Sequence, residues 1–159
     1  PVVALNFLVS VGAVATDFTV TSASLGFPVY DPAFATASAS TTVTDNNGDG
    51  ASLTGNFPGG GAYRAFYNDP GSVPGTGTVF GTLVGDTSAG AWGSASTSDT
   101  TGPFSLVGVP VTSMSAQWKF GVDAFSSASG TSVFTIPAPG TAFALGVLGL
   151  PCVRRRRHA

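Results

Sequence analysis

The stretch TSMSAQWKFGVDAF, residues 112–125, alternates between two kinds of side chain. Met114, Ala116, Trp118, Phe120, Val122 and Ala124 fall on one face, and Ser113, Ser115, Gln117, Lys119 and Asp123 on the other. Successive side chains of a strand point to opposite sides of a sheet, so this period of two marks a strand with one face buried. The spacing predicts a strand over 112–125, a turn at SSASG (126–130) and a partner strand TSVFTI (131–136) with Phe134 and Ile136 inward.

Moving outward, the segments DFTVTSASL (17–25), FATASASTTVT (34–44), GAYRAFYN (61–68) and GTVFGTLVG (77–85) are rich in Thr, Val and aromatic residues, which suit sheets. Between them lie FPVYDPA, DNNGDG, FPGGG, NDPGSVPG and TGP, all built from turn-forming residues. No segment sustains a 3.6-residue apolar period between caps. The expectation is an all-β fold, a single β-sandwich or jelly-roll-like domain over residues 16–136, followed by a short hydrophobic helix at the C-terminal end.

Charge narrows the function classes. Charged residues make up 9% of the chain, against about 25% in ordinary soluble domains. Arg154, Arg155, Arg156 and Arg157 account for most of the basic residues; upstream, eight aspartates face only Arg64 and Lys119, a formal charge of −6. An acidic body argues against nucleic acid, whose phosphates need a basic surface. The single Cys152 and single His158 both lie in the tail, and the chain has no Glu. A His-based hydrolytic triad or a His-ligated zinc site in the body is therefore ruled out, and a non-enzymatic role is expected.

The tail is the most specific segment. Pro137 to Val153 contains no charge, and the four arginines follow. As a helix this run would span about 25 Å, a little less than the ~30 Å hydrocarbon core, with arginines able to snorkel toward the headgroups. The positive-inside rule puts the arginines on the cytoplasmic side and the body outside.

The order Pro137-Ala138-Pro139, apolar run Gly140 to Val153, then Arg154 to Arg157 resembles the PEP-CTERM sorting signal of bacterial surface proteins. The resemblance covers residues 137–159 only. It implies export, with the tail passing transiently through the inner membrane and processing by an exosortase, an integral-membrane enzyme. It also implies a setting of exopolysaccharide production. Ala138 stands where the family has its central Glu.

At the other end, Val2 to Ala15 is apolar apart from Asn6 and Ser10 and finishes Ala13-Val14-Ala15, a small-x-small pattern suited to signal peptidase. Residues 1–15 are accordingly read as a signal-peptide remnant. The competing reading is a first strand, since Val, Leu and Phe serve sheets equally well.

Two constellations in the body carry chemistry. Asp45, Asn47, Asp49 and Gly50 follow the D-x-N-x-D-G order of a calcium loop, although Asn56 holds the position where an EF-hand needs Glu. Asn47-Gly48 and Asp49-Gly50 are also plain turn dipeptides, so a hairpin without metal competes with a calcium site. Tyr63, Tyr67 and Trp92, with Arg64, form a candidate aromatic surface for sugar rings, against ordinary packing. The reading is an exported, surface-sorted structural or adhesive protein of the envelope or extracellular matrix. The alternative is an exopolysaccharide-binding module, calcium-stabilised if the loop binds metal.

Overall fold

The computed structural model describes residues 1–71 and 75–138. Strands, numbered in chain order, assemble into two curled sheets. The first sheet holds β1 (Val2–Ser10), β4 (Phe34–Asp45), β9 (Ser94–Thr100), β10 (Ser105–Leu106) and β12 (Ser126–Thr135). The second holds β2 (Thr16–Thr21), β3 (Leu25–Tyr30), β5 (Ala51–Gly55), β6 (Tyr63–Tyr67), β7 (Thr78–Leu83), β8 (Thr87–Ala89) and β11 (Val111–Val122). Among the described residues there is no helix. All pairings are antiparallel.

The alternating stretch becomes β11, the central strand of its sheet. It pairs with β6 and β5 along one side and with β3 and β2 along the other. Met114, Ala116, Trp118, Phe120 and Val122 are buried, as the period of two requires. Phe120 takes Phe7 of β1 in a stack with ring centroids 4.4 Å apart, and Trp118 meets the same Phe7 edge-on at 5.1 Å. Val43, Ala128, Phe134 and Ile136 from the first sheet join this cluster, so the inner faces of both sheets share one core.

Two expectations need correction. The turn lies at Asp123–Phe125, not at residues 126–130. Phe125 takes a positive φ of 54° there, an unusual conformation for a non-glycine residue. The Ser/Ala/Gly run that looked like a loop is instead the start of β12, paired along its whole length with both β1 and β4. Small residues are needed on its inner side: Gly130 sits directly beneath the Phe7 ring, and a Cβ there would collide with it. A run of small residues reads as a turn in sequence, yet fits a strand covered by a large aromatic from its neighbour.

The segment read as a signal-peptide remnant is placed as β1, the edge strand of the first sheet, in unbroken register from Val2↔Thr135 to Ser10↔Ser127. Val3 and Val11 are buried, and Leu5, Phe7 and Val9 pack against the core. In the structure this segment is thus placed as a first strand, the competing reading of the sequence. Its apolar period of two is satisfied by the core, which leaves a signal-peptide pattern and an edge-strand pattern indistinguishable by composition.

Candidate functional site: the outer face of the first sheet

The outward positions of β1, β12, β4 and β9 lie in register and form rows across the sheet. Asn6, Thr131, Ser40 and Ser98 make one row. Leu8, Ser129, Thr42 and Ser96 make the next, followed by Ser10, Ser127, Thr44 and Ser94. All but Asn6 and Leu8 carry hydroxyls. Neighbouring strands are about 4.8 Å apart and alternate residues about 6.6 Å, so the hydroxyls lie on a regular grid. Some pair across strands: Ser40–Thr131 at 3.0 Å, Thr42–Ser96 at 2.7 Å and Thr44–Ser94 at 2.7 Å. A shallow depression bordered by Ser38, Ser40, Ser98, Thr100 and Thr131 interrupts the face. The three rows carry no charge and can exchange hydrogen bonds with water or a neutral polyhydroxyl ligand; the one charge at the depression is Asp99 on its border.

The DNNGDG loop closes the hydroxyl-bearing end. Asp45 is buried, while Asn47 and Asp49 are exposed. Asp45 accepts backbone N–H bonds from Asn47 at Oδ1 (3.1 Å) and from Gly48 and Trp92 at Oδ2 (2.9 and 2.6 Å). Burial alone would raise its carboxyl pKa, but bonds from Trp92, Asn47, Gly48 and Gly50 together hold it below the ordinary value of 3.8. Both oxygens are thus engaged in joining two loops. Gly48, with φ +89°, lies under the indole of Trp92 and has no room for a Cβ. Among the described residues, no group of three or more Asp, Glu, His or Cys side chains is gathered to hold a metal.

The aromatic residues do not form one surface. Tyr63 is completely buried, with its ring 5.0 Å from that of Trp118. Burial pushes its phenol up to about 12, with the Ser132 hydroxyl pulling slightly the other way. Tyr67 is half-buried against the core. Trp92 is 72% exposed on the loop beside Asp45. Arg64 is committed locally: it donates to Thr82 Oγ1 (3.0 Å) and to the Pro58 carbonyl (2.6 Å), with its guanidinium 4.6 Å over the Phe57 ring. Tyr63 therefore cannot meet a sugar together with Trp92 in this fold.

Sequence reasoning missed Asp69. Its carboxylate is buried on the outer side of the second sheet, accepting from Ser115 Oγ (2.5 Å) and from the N–H groups of Gly71 (3.0 Å) and Gly75 (2.7 Å). Burial works to raise its pKa, and these bonds, with one from Thr76, outweigh burial and lower it. The covered Ser115 breaks the polar-out expectation for β11. NDPG looks like any exposed turn; only the later glycines hint at a tight loop, since a Cβ on Gly77 would press on Tyr67 and Asp69 backbone.

The tail leaves the domain from the first sheet. Ile136 is buried and donates its N–H to the Pro1 carbonyl (3.0 Å), whereas Pro137 is half-buried and Ala138 exposed. Pro139, the run Gly140 to Val153 and Arg154 to Arg157 lie outside the described residues. No known protein family, curated protein or solved structure matches this chain.

Proposed function

We propose that this is an exported, non-enzymatic β-sandwich domain with a structural or adhesive role at the bacterial surface. Its apolar tail places it at the inner membrane for processing by an exosortase-type enzyme. The supporting observation is the junction: Ile136 is buried and hydrogen-bonded to Pro1, and the Pro-x-Pro segment starts at the next residue, just after β12. A processing enzyme would thus meet the start of its motif just past the last strand, where Pro137 is half-buried and Ala138 exposed. The uncharged hydroxyl grid suits a hydrated matrix, where neutral hydrogen-bonding surface holds water and polysaccharide without ionic selectivity. The expected route is export, a membrane-held intermediate with Arg154–Arg157 inside, then a mature domain outside. The test is to compare the full chain with one ending at Ala138, both in a bacterium with its own sorting machinery. The full chain should be retained at the surface and the shortened one released to the periplasm or medium; identical distribution contradicts the proposal.

The depression around Ser40 and Thr131 favours the second reading, an exopolysaccharide-binding module, with hydroxyls rather than stacked aromatics making the contacts. Ser40→Val with Thr131→Val should weaken retention on immobilised exopolysaccharide while leaving Tm unchanged. Calcium enters this reading through Asn47 and Asp49 beside the engaged Asp45, and would raise Tm in millimolar calcium relative to chelator.

A further inference from the structure

The outer face of the first sheet changes character along its length. Toward the ends of β1 and β12 nearest the junction, the outward residues become Ala4 and Val133 beside Ser38, then Val2 and Thr135 beside Thr36. Phe34 begins β4 and pairs with Leu106 of β10, with Phe104 two residues earlier. Phe34 and Leu106 are 43% and 59% exposed, and Val2, Phe104 and Val133 are comparably open. The β12–β4 ladder ends at Thr135↔Thr36, two residues before Pro137 on one strand and two residues after Phe34 on the other. The exposed apolar rim and the point where the tail departs therefore share one end of the domain.

We propose that this rim, centred on Phe34 and Leu106, seats on a lipid surface and holds the point where the chain leaves the domain, Pro137 and Ala138, at the bilayer. The proposal rests on the membrane reading of the tail and adds a contact made by the folded domain itself. Beyond Ala138 the sequence continues with the uncharged run Gly140 to Val153 and four arginines, so the chain that would enter the bilayer starts beside the rim. Side chains exposed to this degree offer on the order of 100 Å² each, or about 500 Å² together. That falls short of the ~800 Å² per partner of a stable protein interface. It is enough for a few apolar side chains to insert at headgroup level, as interfacial anchors do. Charge points the same way: the body carries −6 and Asp31 is exposed just before Phe34. Two copies would repel one another, and anionic headgroups would be disfavoured. The lipid class is zwitterionic, and the contact is insensitive to salt.

The test uses the full chain in vesicles of phosphatidylcholine brominated along its acyl chains. One protein carries Phe34→Trp with Trp92→Phe; the other keeps Trp92, which sits by Asp45 at the opposite end of β4. Trp118, fully buried, is a common background. The brominated lipid should quench the added emission of the Phe34→Trp protein by half or more and leave Trp92 emission unchanged. A Leu106→Trp protein should repeat the result. Flotation with vesicles but equal quenching at both ends overturns the rim proposal and leaves the tail reading standing. Failure to float overturns both. A concentration-dependent blue shift of the Phe34→Trp emission without vesicles, and no quenching with them, identifies a second copy as the occupant and also overturns the proposal.

Discussion

Thr42 and Thr44 at one end of β4 face outward among Ser96, Ser94 and Ser127, while Phe34 at the other end faces outward beside Leu106. Both ends follow the same period of two, belong to the same strand, and cover the same kind of small inward residue, from Ala35 and Ala37 to Val43. The inner face therefore sets one requirement for the whole strand, and the outer face answers it in two ways. An outward Phe and an outward Thr are both compatible with a strand, and neither adds much to stability when exposed. Folding thus does not account for the segregation. The physical difference is in the outward rows of β4 and its neighbours: those at the Asp45 end exchange hydrogen bonds across a grid, with Leu8 and Trp92 as exposed apolar exceptions, and those at the Phe34 end offer apolar area next to the departing tail.

This contrast can be strained from several directions. The largest effect should come from beneath both ends. Phe134→Ala removes a fully buried ring that stacks with Phe80 at 5.3 Å, and urea unfolding should show a loss of about 3–5 kcal/mol. Gly130→Ala, under Phe7, should cost about 1–3 kcal/mol through overpacking, measured the same way. If it is neutral, the Phe7 ring does not fix the register of β1 on β12.

A pH-dependent effect should follow at the hydroxyl-bearing end. Asp45 and Asp69 both have folded pKa values below the ordinary 3.8. Their contribution is present above that value and is lost as pH falls from it through the lower folded values. Asp45→Asn should reduce Tm at pH 7 and flatten the decline of Tm at acid pH. An unaltered acid profile would mean that Asp45 does not hold the two loops together. The smallest effects belong to the outer face itself. Thr42→Val and Phe34→Ser should each change stability by no more than about 0.5 kcal/mol. A larger loss from Phe34→Ser would make the apolar end part of the fold and remove the contrast.

The all-β class and the inward set of β11 were legible because alternation is a one-dimensional signal that survives without tertiary information. Phe134 and Ile136 were legible for the same reason. The 126–130 segment was not, since its small residues acquire meaning only when Phe7 lies across them. Residues 2–10 carry an apolar pattern that export and edge pairing share, and only the register with β12 separates the two within the fold. Tyr63 was misplaced because an aromatic in a strand reads alike whether its face is covered or bare. Asp69 stayed hidden inside an ordinary turn motif, because burial of Ser115 depends on a loop folding back across the sheet. The rim at Phe34 could not be read at all, since it is assembled from four segments far apart in sequence.

The most direct test of the account is the C-terminal peptide mass of the protein recovered from the surface of a bacterium with its own sorting machinery. The account predicts a chain that ends between Ile136 and Gly140, with the buried core intact and the arginines removed. Surface-recovered protein that still carries Arg154–Arg157 would contradict it, and would make the tail a permanent anchor rather than a processed signal.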